Sequence, residues 1–179
     1  MAETLTLGVY ESTFAKTDKT DVILVVDGKK LHVNKAVLSY HSDYFNAMFN
    51  SNFKEKSMSK IEMKDVKIED LAALLSLITV NPIWPKLENA ERILELSDRF
   101  LMPSVRCVLE IFLVSSDLSK LEKMRLGDKF KLEKLLNNSF SQYKTGPDFQ
   151  GIKRTSQFKG FSDSTKIMIL DRLMAVLNL

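Results

Sequence analysis

Residues 22–33 show two apolar patterns that are typical of β-strands, a continuous run followed by an alternation. Residues 22–26 form a nearly continuous apolar run, which is typical of a strand covered on both faces. Asp27 and Gly28 follow, and this dipeptide favours the positive φ angles of a type I′ turn. Leu31 and Val33 then alternate with polar neighbours. The pattern therefore predicts a β-hairpin.

Beyond the hairpin, the apolar spacing changes to that of helices. Asn34 is placed to cap a short helix through Leu38. Ser42 is placed to cap a second helix, with Asp43 in its electropositive first turn. The apolar stripe of this second helix is Tyr44, Phe45, Met48 and Phe49. We therefore expect a pair of short helices directly after the hairpin.

A short strand and three longer helices are expected next. Ile61 and Met63 alternate with charges and predict a strand that ends at Asp65. The helical stripes are Ile68, Leu71, Leu74, Leu75 and Ile78; then Ala90, Ile93, Leu94, Ser97 and Leu101 after Asn89 as a cap; then Val105, Val108, Leu109 and Phe112 after Pro103 in the first turn. A small β-sheet wrapped by α-helices is an α+β fold.

The rest of the chain predicts an all-α tail. Ser119 and Glu122 have the spacing of a capping box. Two apolar stripes follow, Leu118, Leu121 and Met124, then Leu132, Leu135, Leu136 and Phe140. After a loop that contains glycine and proline, Ser162 is placed to cap a last helix with the stripe Ile167, Leu170, Leu173, Met174 and Leu177. We expect this last stripe to dock on the preceding helix pair.

Composition fits one globular domain with a smaller second lobe. The chain has 179 residues, of which 45% are hydrophobic and 27% charged. Neither a membrane-spanning segment nor a signal peptide is predicted, since no apolar run approaches the roughly 20 residues that a membrane helix needs. The single cysteine, Cys107, excludes an intramolecular disulfide and is expected in the core. These features favour a cytoplasmic or nuclear protein.

The basic residues are concentrated in the tail. The chain carries a net charge of +3, and residues 117–179 hold 12 Lys and Arg against 7 Asp and Glu. A nucleic-acid surface and a solvated loop are both compatible with this excess. The basic residues form no dense run, which favours the solvated loop and predicts no nucleic-acid partner.

Catalysis has no clear signature in the sequence. The two histidines, His32 and His41, lie in no Cys/His cluster with metal-ligand spacing. With six glycines in the chain, no phosphate-binding glycine loop is present either. We therefore predict a non-enzymatic protein without metal or cofactor.

An ordered set of segments resembles the BTB/POZ domain. The set is Asp21-Val22, "VDGKKLHVNKAVL", "SDYFNAMF", a strand ending in Asp65-Val66, and "DLAALLSLI". It is most similar to nematode BTB proteins related to the MATH-BTB ubiquitin-ligase adaptors. One departure is "LITVN" at residues 77–81, where the family often has Tyr-Thr-Gly. The resemblance implies the BTB/POZ fold.

The tail resembles the short helical 3-box, or the start of a BACK region, that follows the BTB domain in adaptors. The implied organisation is an N-terminal segment over 1–18, a BTB/POZ domain over 19–115 and a BACK-like tail over 116–179. Residues 1–18 are too few to fold alone, and some of their apolar positions are expected to pack on the domain or across the dimer, with a frayed terminus as the alternative. Those positions are Leu5, Leu7, Tyr10 and Phe14.

The resemblance also implies a partner for an unusual aromatic residue. Many BTB adaptors carry a loop motif, hydrophobic-x-Glu, that binds a cullin scaffold, and Phe53-Lys54-Glu55 falls on that motif. Phe53 and Glu55 are therefore the predicted cullin-binding residues. The alternative is that Phe53 folds back onto its own domain as a loop anchor.

Dimerisation is the second implied interaction, with Val37, Leu38 and Tyr40 at or near a two-fold interface. The function implied is a dimeric adaptor of a cullin-3 type RING ubiquitin ligase. Two alternatives remain: a BTB scaffold that forms homo- or heterodimers without a ligase, and a basic-tailed nucleic-acid binder. The substrate is unknown. The tail or a dimer partner would capture it, or the protein captures no substrate.

Overall fold

The computed structural model describes residues 8–10, 12–50 and 58–178. It divides into two compact units, Met1–Val108 and Leu109–Leu179, which we call the N-terminal and C-terminal units. The domain boundary expected at 115/116 stays a prediction. The N-terminal unit combines a small sheet with helices, and the C-terminal unit is helical. This confirms the α+β class with an all-α tail.

The sheet has three strands in the order β2-β1-β3 within the described residues. They are β1 (Val22–Val26), β2 (Lys29–Val33) and β3 (Lys60–Glu62). β1 pairs antiparallel with β2 and parallel with β3, so that Leu24 faces Leu31 on one side and Ile61 on the other. Asp27 and Gly28 have φ angles of 49° and 77°, which confirms the type I′ turn.

Besides the helical residues 8–10 and 12–13, helices with fully described bounds accompany the sheet. They are α1 (Lys35–His41), α2 (Asp43–Asn50), α3 (Ile68–Ser76), α4 (Leu87–Arg99) and α5 (Pro103–Ser115), the last of which crosses the boundary between the units. Asn34 Oδ1 accepts from Val37 N at 3.0 Å, and Ser42 Oγ accepts from Phe45 N at 3.0 Å. Both predicted caps are confirmed.

An aromatic cluster holds α2 against the rest of the N-terminal unit. Phe45 is fully buried, and its ring stacks on Phe49 and Phe100 at centroid distances of 5.8 and 5.5 Å. Ser42 Oγ also donates to the carbonyl of Phe100 at 2.5 Å. The link between α2 and the end of α4 is therefore both apolar and hydrogen-bonded.

The ends of α3 and α4 differ from the sequence expectation. α4 begins at Leu87, so Asn89 lies inside the first turn, where its Oδ1 accepts from the backbone N of Lys86 at 2.8 Å. Leu101 was expected on the buried stripe but is exposed, because the helix ends at Arg99 and Leu101 takes a left-handed φ of 49°. Ile78 likewise lies beyond the end of α3.

The start of the described chain packs on the N-terminal unit. Tyr10 and Phe14 are buried, which confirms the packing alternative for these two residues. The carbonyl of Phe14 accepts from the backbone N of His32 at 3.0 Å. Leu5 and Leu7 lie outside the described residues.

The C-terminal unit contains the helices α6 (Lys120–Phe130), α7 (Glu133–Ser141), α8 (Ser156–Gly160) and α9 (Asp163–Leu177). The stretch between α7 and α8, expected to be a loop, forms two 3-10 turns, Gly146–Phe149 and Ile152–Arg154. One core cluster of this unit is built from buried side chains of α6, α7, the two turns and α9, together with Tyr143 after α7 and Phe161 before α9. They are Met124, Phe140, Tyr143, Phe149, Ile152, Phe161 and Ile169.

Side-chain carboxylates fix the helix ends of the C-terminal unit. Asp128 is buried and accepts from Ser162 N at 2.9 Å, Ser162 Oγ at 2.5 Å and Thr165 Oγ1 at 2.9 Å, which ties α6 to the start of α9. Glu110 Oε1 accepts from Lys134 N at 2.7 Å at the start of α7. The predicted caps Ser119 and Ser162 are confirmed, since each hydroxyl accepts from its helix's third residue.

The predicted buried face of α9 is wrong for four of its five residues, and only the packing of Leu173 is confirmed. Ile167, Leu170, Met174 and Leu177 are exposed, whereas Thr165 and Ile169 are buried and Met168, Leu173 and Val176 pack on the core. Apolar residues lie on most sides of α9, so helical spacing alone did not distinguish the two faces. Hydrogen bonding by Asp128 selects the face that carries Thr165.

Candidate protein-interaction surface

The predicted cullin-binding residues Phe53 and Glu55, with Lys54 between them, lie outside the described residues. What the structure gives is the pair of points between which this segment runs. α2 leads into it at Asn50, and β3 begins after it at Lys60. Both points belong to the packed part of the N-terminal unit.

The entry to the segment is held by aromatic packing. Phe49 is buried against Phe45, and the Lys35 ammonium lies 5.5 Å from the centroid of the Phe49 ring. At the last residue of α2, Asn50 Nδ2 donates to Asn46 Oδ1 at 2.7 Å. The end of α2 is therefore fixed by contacts within the unit.

The exit from the segment is held by the sheet. Ile23 N donates to the carbonyl of Ser59 at 3.0 Å, and Met63 N donates to the carbonyl of Val25 at 2.8 Å. Ile61 is buried between these two hydrogen bonds. Residues 51–57 are thus attached at both ends to rigid elements, an arrangement that suits a binding segment.

α1 places the predicted dimer residues in two different environments. Tyr40 is 85% exposed and Val37 is 42% exposed, three residues apart on the same face. Leu38 is 3% exposed and packs inside the unit. The structure therefore brings Val37 and Tyr40 together on the surface and separates Leu38 from them.

The two histidines take part in packing. His41 lies next to this face, its ring 5.0 Å from that of Tyr40 in an edge-on arrangement, and its Nδ1 is 3.2 Å from Ser104 Oγ. His32 lies on β2 opposite Ile23. In the part of the chain that the structure describes, no group of three or more His, Cys, Asp or Glu side chains could hold a metal ion.

The structure corrects the expected burial of Cys107 and shows an exposed tryptophan that the sequence analysis did not single out. Cys107 is exposed on α5, which corrects its expected place in the core. Trp84 is 64% exposed in the segment between α3 and α4, and Val80 in the same segment is 95% exposed. Pro82 and Pro85 flank Trp84 and break the helical pattern between α3 and α4, which was the signal that Trp84 belongs to neither helix's apolar stripe.

An ion pair between Arg92 and Asp70 joins α4 to α3 within the N-terminal unit. Arg92 donates to Asp70 through Nε at 2.7 Å and Nη2 at 3.2 Å, and Asp70 is buried at the start of α3. Hydrogen bonding to Asp70 raises the pKa of Arg92 against the opposing effect of burial.

Burial raises the pKa of Tyr10, and the charges of Glu69 and Asp70 add to this effect.

Comparison with known proteins gives the arrangement a family. The sequence model of the BTB/POZ domain matches residues 10–117. The chain belongs to the BTB/POZ domain family. Its BTB domain is a protein–protein interaction module, as the resemblance implied. No described helix is long and apolar enough to cross a membrane.

Similar full-length proteins include two from Caenorhabditis elegans. BTB and MATH domain-containing protein 38 is 36% identical over 172 residues, which cover 94% of this chain and 44% of that protein. BTB and MATH domain-containing protein 36 is 32% identical, over 95% of this chain and 55% of that protein. The chain thus spans about half the length of these relatives, and the predicted likeness to nematode MATH-BTB proteins is confirmed.

A solved structure similar to this chain is the BTB domain of human gigaxonin. It has 23% sequence identity, a TM-score of 0.45, and coverage of 62% of this chain and 89% of that domain.

Proposed function

We propose that this BTB protein is a dimeric adaptor subunit of a cullin-3 type RING ubiquitin ligase, with Phe53-Lys54-Glu55 as its cullin-binding motif. The observation that carries the proposal is the attachment of residues 51–57 between α2 and β3. Each end is fixed by buried contacts, at Phe49 and at Ile61.

The chemistry of the motif supports a protein partner. Burying a phenylalanine in a partner's pocket contributes about 1.5 to 3 kcal/mol. A carboxylate two residues later can accept a charge-assisted hydrogen bond and fix the register. Capture of the substrate falls to the tail or to a partner. Heterodimerisation with a BTB protein that carries a MATH domain would supply a separate substrate-binding domain.

Affinity for the cullin N-terminal region tests the motif. Phe53→Ala is expected to lower affinity about thirty- to a hundred-fold, the equivalent of about 2 to 3 kcal/mol, with an unchanged melting temperature. Glu55→Ala is expected to cost less if its carboxylate stays partly solvated. Met58→Ala, an exposed apolar residue just outside the motif, is the matched control. If Phe53→Ala instead lowers the melting temperature, Phe53 is a loop anchor.

Oligomeric state tests the second half of the proposal. Val37→Lys places a charge on the exposed face of α1 and is expected to produce monomers, because an isolated lysine would be buried at the two-fold axis. Val80→Lys, at another exposed position, should leave the dimer intact. Light scattering measures both variants. A wild-type chain that dimerises but has no cullin affinity would be a BTB scaffold without a ligase.

A further inference from the structure

The outer face of α9 is apolar and exposed. Ile167, Leu170, Met174 and Leu177 recur at helical spacing, and between 43% and 58% of each side chain is open to solvent. Ten residues of helix rise about 15 Å, so the stripe is as long as two to three helical turns. Contiguous apolar surface of this kind marks sites of interaction.

A groove adjoins this stripe. Leu170 also lines a cavity of about 600 Å³ that lies between the 3-10 turns and α9. The other apolar residues of its wall are Phe149, Ile152, Phe158, Ile169 and Leu173. We call the groove and the exposed stripe together the α9 surface.

The groove is rimmed by positive charge. Lys153, Arg154 and Lys166 line it, and no aspartate or glutamate is among its lining residues. Lys166 lies 3.6 Å from Asp163, whereas Lys153 and Arg154 are exposed and form no ion pair with any carboxylate in the described part of the chain. Two cations thus remain available beside an apolar floor.

We propose that the α9 surface binds an acidic amphipathic helix of a partner protein. The apolar face of such a helix would lie along the groove and the exposed stripe, and its acidic flank would meet Lys153 and Arg154. The length of the stripe suits a helix better than a compact small molecule. The proposal does not depend on the cullin motif.

A selection experiment tests the proposal without knowledge of the partner. A displayed library of helical peptides of about 16 residues, long enough to span the stripe, is selected on the full chain and depleted on the Leu170→Glu variant. We expect the retained peptides to carry apolar residues at i, i+3 or i+4, and i+7, with aspartate or glutamate beside them. Failure to retain any peptide, or retention of basic peptides, overturns the proposal.

Affinity of one selected peptide then tests the residues. Arg154→Glu is expected to weaken binding about ten-fold or more, and added salt should reduce the wild-type affinity. Lys16→Glu, an equal charge reversal at an exposed residue of the N-terminal unit, is the matched control and should bind like wild type. Equal binding by Arg154→Glu and wild type overturns the electrostatic half of the proposal. If Leu170→Glu reduces self-association of the chain without peptide, the α9 surface is a self-interface and the proposal is wrong.

Discussion

The N-terminal and C-terminal units bury their helices by different means. In the N-terminal unit, α3 is buried along almost its whole length, and stacked aromatic rings around Phe45 hold α2. In the C-terminal unit, carboxylates fix the helix ends: Asp128 accepts hydrogen bonds from the start of α9, and Glu110 accepts them from the start of α7. Apolar spacing therefore identifies the buried faces of α2 and α3, whereas the buried face of α9 also depends on a carboxylate 34 and 37 residues away in the sequence.

The largest expected effect concerns the aromatic cluster of the N-terminal unit. Phe45→Ala should lower the free energy of unfolding by about 3 to 5 kcal/mol, because it leaves a cavity next to Phe49 and Phe100. Urea denaturation followed by circular dichroism measures the loss. Val80→Ala, at a residue that is 95% exposed and assigned to no interface, should change stability by about 0.5 kcal/mol or less. Similar losses in both variants would contradict the role assigned to the cluster.

The corresponding test in the C-terminal unit removes a buried carboxylate. Asp128→Ala should cost about 2 to 3 kcal/mol, because Ser162 and Thr165 lose their buried acceptor. Hydrogen exchange at the start of α9 should rise more than exchange in α3. Asp163→Ala removes an exposed carboxylate from the same helix start and should cost about 1 kcal/mol at most. Unchanged exchange in the Asp128 variant would mean that packing alone holds α9.

The same contrast explains how far the sequence alone could predict the molecule. The hairpin and the caps of Asn34 and Ser42 follow from local chemistry, since each depends on residues a few positions apart. The exposed face of α9 could not be predicted, because Asp128 acts from residues 34 and 37 positions away. The place of Phe53 and Glu55 rests on the family resemblance, and their role stays a prediction.

A close helix contact gives a smaller effect. A Cβ atom at Gly127 would lie 3.0 Å from the backbone N and the Cβ of Leu136, so α6 and α7 would have to move apart. Glycine to alanine within a helix normally stabilises by up to about 1 kcal/mol, but here we expect a loss of about 1 to 2 kcal/mol. Gly160→Ala is the matched control, because nothing lies within 4 Å of its added Cβ. Thermal denaturation compares the two, and a stabilised Gly127→Ala would show that the helices adjust freely.

The smallest effect is the pH dependence contributed by Asp128. Burial raises the pKa of Asp128, but hydrogen bonds from Ser162 and Thr165 outweigh burial and leave the pKa below its usual value. A carboxyl group with a lowered pKa in the folded state stabilises the protein above its unfolded pKa, near 3.8, and this stability is lost as the pH falls through the folded pKa. The net effect is small because the two contributions oppose each other.

Asp128→Asn retains the shape of the side chain and removes its titration. The difference in unfolding free energy between wild type and this variant should therefore be constant above about pH 5 and shrink below about pH 4. Urea denaturation across this range measures it. Asp148, whose pKa is lowered by hydrogen bonds from Lys120, Thr145 and Lys144, titrates in both proteins and cancels from the difference. A difference that stays constant down to about pH 3 would show that Asp128 holds α9 by shape and not by charge.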